Sequence, residues 1–524
     1  MDMNRIIGVL LLVLGAACSG PPSIIVKNGR ILTPAGTWRK ADLRIRGPYI
    51  ERIAPTIEPD DNAKVLDAGG AWLTPGFSDA HGHLLALGQA LEEVDLRGIA
   101  SYAGVVEKVR QKAAALPEGR WIIGQGWDQN LWPGARFPEE GPLSDAVPRH
   151  PVLLHRVDGH ALLANREAMR RAGITTATPS PAGGEIVKDA SGRPTGIFID
   201  NAEDLFLPAV PKPTVEERKA LLLRAMDELA SVGLTAIGDA GMEAATLEAL
   251  FSLEQEGRLK VRVNVMLDNN PALLKTWFAR GPYADPWIRV QTVKAYMDGA
   301  LGSRGAYLSQ DYADRPGHRG YLVTPPAELE ALARECSRHH FMLAVHAIGD
   351  EAVHLVLKAF AGGEGRGRGF RIEHIQLLRP EDLLLMKSLG VTASVQPYHF
   401  VSDSPWLESR IGDRKLLRYP WKTLLERRLL LLFGSDCPVE SPDPGQGFRA
   451  STSRPSEAVT PFDALKAYTY AQAVSLREED ARGIIREGGF ADLTVFDSDI
   501  LHDPATFHAI GSMINGRIIH WKGL

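Results

Sequence analysis

The chain has 524 residues, enough for one barrel-sized domain plus one or two smaller ones. Apolar residues make up 44%, which excludes a largely disordered chain. The net charge is −5 with no long basic run, so nothing in the charge balance points to nucleic acid as a partner.

The N-terminus reads as a targeting segment. Arg5 precedes the apolar run Ile6–Leu14, then small residues and Cys18. The run is too short to span a bilayer and reads as an export leader over residues 1–17. Cys18 after Gly15-Ala16-Ala17 resembles a bacterial lipoprotein cleavage site, at which Cys18 would become the lipidated first residue. That pattern usually has Leu where Gly15 stands, so ordinary cleavage and release is the other reading. Both readings export the protein to the bacterial periplasm or cell envelope, and in the lipoprotein reading a lipid anchor is its only membrane attachment. Cys336 falls on a helical pattern and Cys437 beside Asp436; the sequence argues no disulfide between them, and buried thiols are the default.

Ile24–Leu32 and Ala41–Arg46 alternate like short antiparallel strands, and Asn28-Gly29 is a hairpin-turn signal. Ala491–Asp497 and Ser512–His520 read the same way. Residues 24–75 and 488–524 therefore predict one small composite β-sandwich domain built from both chain ends. The run from Leu73 ends in His81-Gly82-His83. At a strand end, residues i and i+2 turn to the same side, so the two imidazoles can grip one cation. A lone His-x-His is weak evidence; its company makes it informative.

Residues 119–213 are rich in Gly, Pro and Trp and are far longer than a normal connection, which predicts an inserted small domain or lid. Apolar, β-branched runs follow at Thr235–Ala240, Arg262–Leu267, Val290–Lys294, Phe341–His346, Phe370–His374, Val391–Gln396 and Leu429–Asp436. Helical patterns such as Glu216–Val232 and Pro326–His339 separate most of them. Alternation of this kind predicts an α/β fold with a parallel sheet. With about eight repeats, the expectation is a (β/α)8 TIM-type barrel over residues 76–487, its site at the C-terminal strand ends. Lys294, His346, His374 and Asp436 all fall there. An open doubly wound sheet is the alternative, but it gives the first and last strands no reason to share a site.

The chain resembles the amidohydrolase superfamily, in its family 3 branch, which includes N-substituted formamide deformylases. The resemblance rests on the ordered motifs Leu73–His83, Trp121–Asp128, Val157–His160, Val293–Ser303, Val345–Asp350, Glu373–Gln376, Gly434–Glu440 and Gly488–Leu493. It implies that His81, His83 and Asp436 bind one metal and that His346 and His374 bind a second. It also implies that Lys294, carboxylated by CO2, bridges the two. Imidazole and carboxylate suit Zn2+ with positions left for water. The implied reaction is attack of metal-bound hydroxide on a non-peptide C–N bond in a small N-acyl or N-formyl amide. Asp436 is the implied catalytic residue, taking the proton and passing it to the leaving amine.

Other readings stand beside these. Lys294 could remain an ammonium paired with Asp298, leaving room for one metal. Asp158, His160, Gln396 and His399 lie in family loop motifs and are candidates to face substrate; His160 and His399 read equally well as ordinary loop residues. Asp298 and Arg304 are candidates to support the site, with ion-pair or capping roles as the alternative. At the level of function, a mononuclear deaminase is disfavoured by Lys294. An ester or lactone hydrolase would use the same ligands. A catalytically silent surface-binding lipoprotein is disfavoured by the intact ligand set.

Overall fold

The computed structural model describes residues 23–157, 160–181, 183–363, 365–367 and 369–522. The leader and Cys18 lie outside the described residues. Among the described residues, no helix is long and apolar enough to cross a membrane. The described residues divide into two compact units, one holding those up to Gly82, within Asp227–Glu243 and from Leu259 onward, the other those within His83–Met226 and Ala244–Arg258.

The first unit contains a parallel barrel. Its strands are β1 (Phe77–Gly82), β2 (Leu234–Met242), β3 (Arg262–Asp268), β4 (Ile288–Tyr296), β5 (Met342–Ala347), β6 (Arg371–His374), β7 (Thr392–Val395) and β8 (Leu431–Phe433). Each pairs with the next in order around the sheet, and a short strand, Tyr283–Ala284, pairs antiparallel with β4. The strands are buried on both faces, which is why their sequences run as nearly continuous apolar stretches.

The seam between β8 and β1 is closed by few bonds. The Asp436 N–H donates to the His81 carbonyl at 2.7 Å, and Gly82 bridges Cys437 in parallel. Asp79, buried beneath the histidines, accepts from the backbone N–H of His81 (2.9 Å) and of Ser435 (3.0 Å) and from the Ser435 hydroxyl (2.6 Å). The backbones approach so closely that a Cβ on Gly434 would stand 2.7 Å from both Asp79 Oδ1 and His81 N. Only glycine fits there without moving the seam.

Strand ends differ in detail from the sequence reading. Lys294 lies inside β4, which runs on to Tyr296, and Asp436 lies three residues beyond β8. The strands from the two chain ends form one eight-stranded sheet, joined where Trp72–Pro75 pairs antiparallel with Leu493–Phe496. Leu43, Leu73, Val495 and Met513 fill its core. Burying each such side chain stabilises by about 1.5–3 kcal/mol. Asn28-Gly29 is not a hairpin turn. Asn28, at φ 58°, forms a bulge inside the strand Ser23–Leu32, and its N–H donates to Asp42 Oδ1 at 2.9 Å. The hairpin expected there belongs instead to Asn515-Gly516, which turns Ala509–Ile514 into Arg517–Trp521 with both residues at positive φ.

The second unit contains a six-stranded sheet, ordered Gly184–Lys188, Pro194–Asp200, Ala161–Ala164, Val152–Arg156, Ile122–Trp127 and Val94–Asp95. It thus starts at Val94, ahead of the expected 119, because Val94 pairs with Gly124. Leu153 and Leu154 point to opposite faces and join separate cores. Trp127 is fully buried in one of them, its Nε1–H donating to the Leu154 carbonyl at 2.7 Å.

Candidate metal centre

The C-terminal ends of the barrel strands bring together His81 from β1, His83 one residue past it, Lys294 from β4, His346 from β5, His374 from β6 and Asp436 beyond β8. The ligand atoms of His81, His83 and Asp436 lie within 4.8 Å of one another. The same holds for His374, His399 and Asp436. His81 Nε2 is 3.5 Å from Asp436 Oδ1 and 3.1 Å from Lys294 Nζ. The His374 ring centroid lies 4.9 Å from that of His81 and 4.5 Å from that of His346.

Backbone geometry accounts for part of this convergence. Strand alternation would send Glu373 and His374 to opposite faces. His374 is left-handed at φ 77°, and Asp436 at φ 63°. The turn at His374 lets both residues serve one site: Glu373 Oε2 accepts from His81 Nδ1 at 2.6 Å while the His374 ring lies tilted beside that of His81. Left-handed backbone at such residues costs on the order of 1–3 kcal/mol and concentrates at functional sites.

Hydrogen bonds at Nδ1 set which nitrogen each ring presents. Glu373 holds His81 through Nδ1, so Nε2 carries the lone pair. Glu373 is itself held by Arg371, whose Nε donates to Oε1 at 2.6 Å and Nη2 to Oε2 at 3.0 Å. Gln396 Oε1 accepts from His374 Nδ1 at 2.8 Å in the same manner. Burial pushes His81 down to about 4 and His346 down to about 3, and it holds His374 well below the ordinary imidazole range; the nearby Lys294 charge adds to each. These rings are neutral at pH 7, the form that ligates a cation. Burial also lowers Lys294 to about 8, against the raising influence of Glu373 and Asp436. His346 Nε2 and His399 Nε2 are buried without a hydrogen-bond partner among the described residues. Leaving such an atom unsatisfied costs about 1–3 kcal/mol, which a bound cation would relieve. Neutral imidazoles, a carboxylate and orphaned donor atoms facing one another fit a divalent metal.

Residues 64–520 match the amidohydrolase family. The chain belongs to the amidohydrolase family. Its members are hydrolases, and the metal-ready donors here agree with a metal-dependent one. The chain is 32% identical to YtcJ of Bacillus subtilis (strain 168), provisionally named an amidohydrolase, over 95% of this chain and 96% of that one. It is 26% identical to the N-substituted formamide deformylase of Arthrobacter pascens, over 91% and 90% of the two chains. A crystal structure of an uncharacterized metal-dependent hydrolase from Pyrococcus furiosus superposes with TM-score 0.78 at 31% identity, over 92% of this chain and 100% of that one.

The remaining residues singled out in this amidohydrolase are placed as follows. Gln396 is buried against His374. Asp298 is buried and ties loops together, accepting from the N–H of Tyr307 (2.8 Å), Ile348 (3.0 Å) and Gly349 (2.9 Å), with Oδ1 3.6 Å from His346 Nε2. Arg304 is paired with Asp314 at 2.8 Å. His160 is exposed and bonded to Asp200 at 2.8 Å. Asp158 lies outside the described residues. Glu373, Arg371 and Asp79 carried no role in the sequence reading. A signal was present for one of them: an acidic residue directly before a strand-end histidine, inside an otherwise apolar strand.

Proposed function

We propose that this chain is an exported hydrolase that cleaves a non-peptide C–N bond, of the N-acyl or N-formyl amide type, using two Zn2+ ions. The observation that carries the reading is the set of buried, neutral imidazoles converging on Asp436. His81, His83 and Asp436 would hold one ion, and His346 and His374 the second. Zinc bound there would acidify a water and polarise the scissile carbonyl.

Lys294 would bridge the two positions as a carbamate. Its amine, at about 8, is partly neutral near pH 7; it adds to the carbon of CO2, an N–C bond forms, and the amine proton leaves to solvent. Asp436 takes a proton from the attacking water as the water oxygen bonds to the carbonyl carbon. It returns that proton to the departing nitrogen as the C–N bond breaks. The amide assignment draws support from the name of the Arthrobacter pascens relative. The run Ile6–Leu14 and Cys18 support export with a lipid anchor in the bacterial periplasm or cell envelope. No nucleic acid is expected as a partner, only a small amide-type substrate.

The test is a panel of N-formyl amines, N-acyl amides, small esters and aminopurines. The expected result is release of amine from the amides, abolished by a chelator and restored by Zn2+. Turnover of esters alone, or ammonia release from aminopurines alone, would overturn the assignment. Fractionating cells that express the full chain tests the anchor: Cys18→Ala should move the protein from membranes to the soluble periplasm, and an unchanged distribution would remove it.

A further inference from the structure

We propose that His399 is a metal ligand: it joins His346 and His374 at the second cation position, where its ligand atom lies within 4.8 Å of those of His374 and Asp436. The inference deepens the metal-hydrolase reading above and rests on it. His399 lies on a short helix, Pro397–Asp403, just past the end of β7. The two oxygens of Asp436 face different rings. Oδ1 is 3.5 Å from His81 Nε2, and Oδ2 is 3.9 Å from His399 Nε2. Two donors on one tetrahedral Zn2+ stand about 3.3 Å apart, so both separations close around a cation with small side-chain rotations. Each oxygen of Asp436 thus faces a ring of a different cation position.

His399 is held as the strand histidines are. In His81 and His374, a side-chain oxygen holds Nδ1 and Nε2 is turned into the site. In His399, Nδ1 lies 3.5 Å from Gln376 Nε2, while Gln376 Oε1 and His399 Nε2 are both buried without partners among the described residues. Turning the Gln376 amide by half a turn, a change that leaves its shape intact, lets Oε1 accept from His399 Nδ1–H. The His399 Nε2 lone pair then faces Asp436, as a ligand requires. One rotation and one cation thus account for both orphaned atoms. His399 is only 8% exposed, and its ring lies nearly parallel to that of His374, with centroids 6.1 Å apart.

The test measures metal content and chelator competition for wild type, His399→Ala and the space-filling His399→Asn, each with its apoprotein melting curve. Two zinc ions are expected per wild-type chain and about one in both variants, with affinity at the second position reduced at least about 100-fold. His399→Asp, which restores a ligating atom, should recover the second ion. Apoprotein melting temperatures should stay at or above wild type. Wild-type metal content and affinity in both variants would overturn the proposal; lost turnover in that case would make His399 a substrate contact. No metal in folded wild type would overturn the metal-hydrolase reading as well, so the two failures are distinguishable.

Discussion

The barrel mouth and the inserted sheet treat buried polar groups in opposite ways. Beside the inserted sheet, Asn165, the N-cap of the helix Arg166–Arg171, is fully buried and fully used. Its Oδ1 accepts from the N–H of Val152 and of Ala168, each at 3.0 Å, and its Nδ2 donates to the carbonyls of Val147 (3.1 Å) and His150 (2.8 Å). At the barrel mouth, His346 Nε2 and His399 Nε2 are buried with no partner among the described residues, and His374 and Asp436 sit on left-handed backbone. A side chain that satisfies its neighbours maintains a fold. One that is costly to the fold and remains unsatisfied is set for a ligand.

Substitution should separate the two regions. Asp436→Asn is compatible with φ 63°, since Asn tolerates left-handed backbone. Turnover should fall by about 10^3-fold or more while the apoprotein melts no lower than wild type; retained turnover would remove Asp436 from the chemistry. Asn165→Ala should do the reverse, losing roughly 3 kcal/mol of stability with metal content unchanged, because four buried backbone groups lose their partner. Thermal unfolding within error of wild type would break the contrast. Glu373→Gln keeps the shape beside His81 but removes the charge, and metal affinity should fall about 10–100-fold by chelator titration; an unchanged affinity would show that Glu373 does not tune His81.

The smallest effect is with pH. An unfolded chain protonates His346 below about 6.5, whereas burial delays this to about 3 in the fold. The unfolded state therefore binds the extra proton in that window, and apoprotein stability falls as pH falls through it, by no more than about 1.4 kcal/mol per pH unit from this group. His346→Gln should lose less stability than wild type between about pH 7 and about pH 5 in parallel melts. Equal losses would mean that His346 is not held neutral.

The barrel was legible because its strands are buried on both faces and end in residues of one chemistry, from His81 to Asp436. Less legible was what depends on backbone handedness and on closure. Nothing in Arg371–His374 announces the left-handed turn that brings Glu373 and His374 to one site. Asn28-Gly29 and Asn515-Gly516 carry the same turn signal, yet pairing made one a bulge and the other a hairpin. Asp79 reads as an ordinary polar residue two before His81; its role as the tie across the seam appears only once β8 lies beside β1.

The most direct measurement is metal content per chain in protein beginning after Cys18, prepared with zinc and bicarbonate, beside Lys294→Ala. The account predicts about two Zn2+ per wild-type chain, with a clear fall in the variant as the bridge is lost. Well-folded wild type without metal would contradict it.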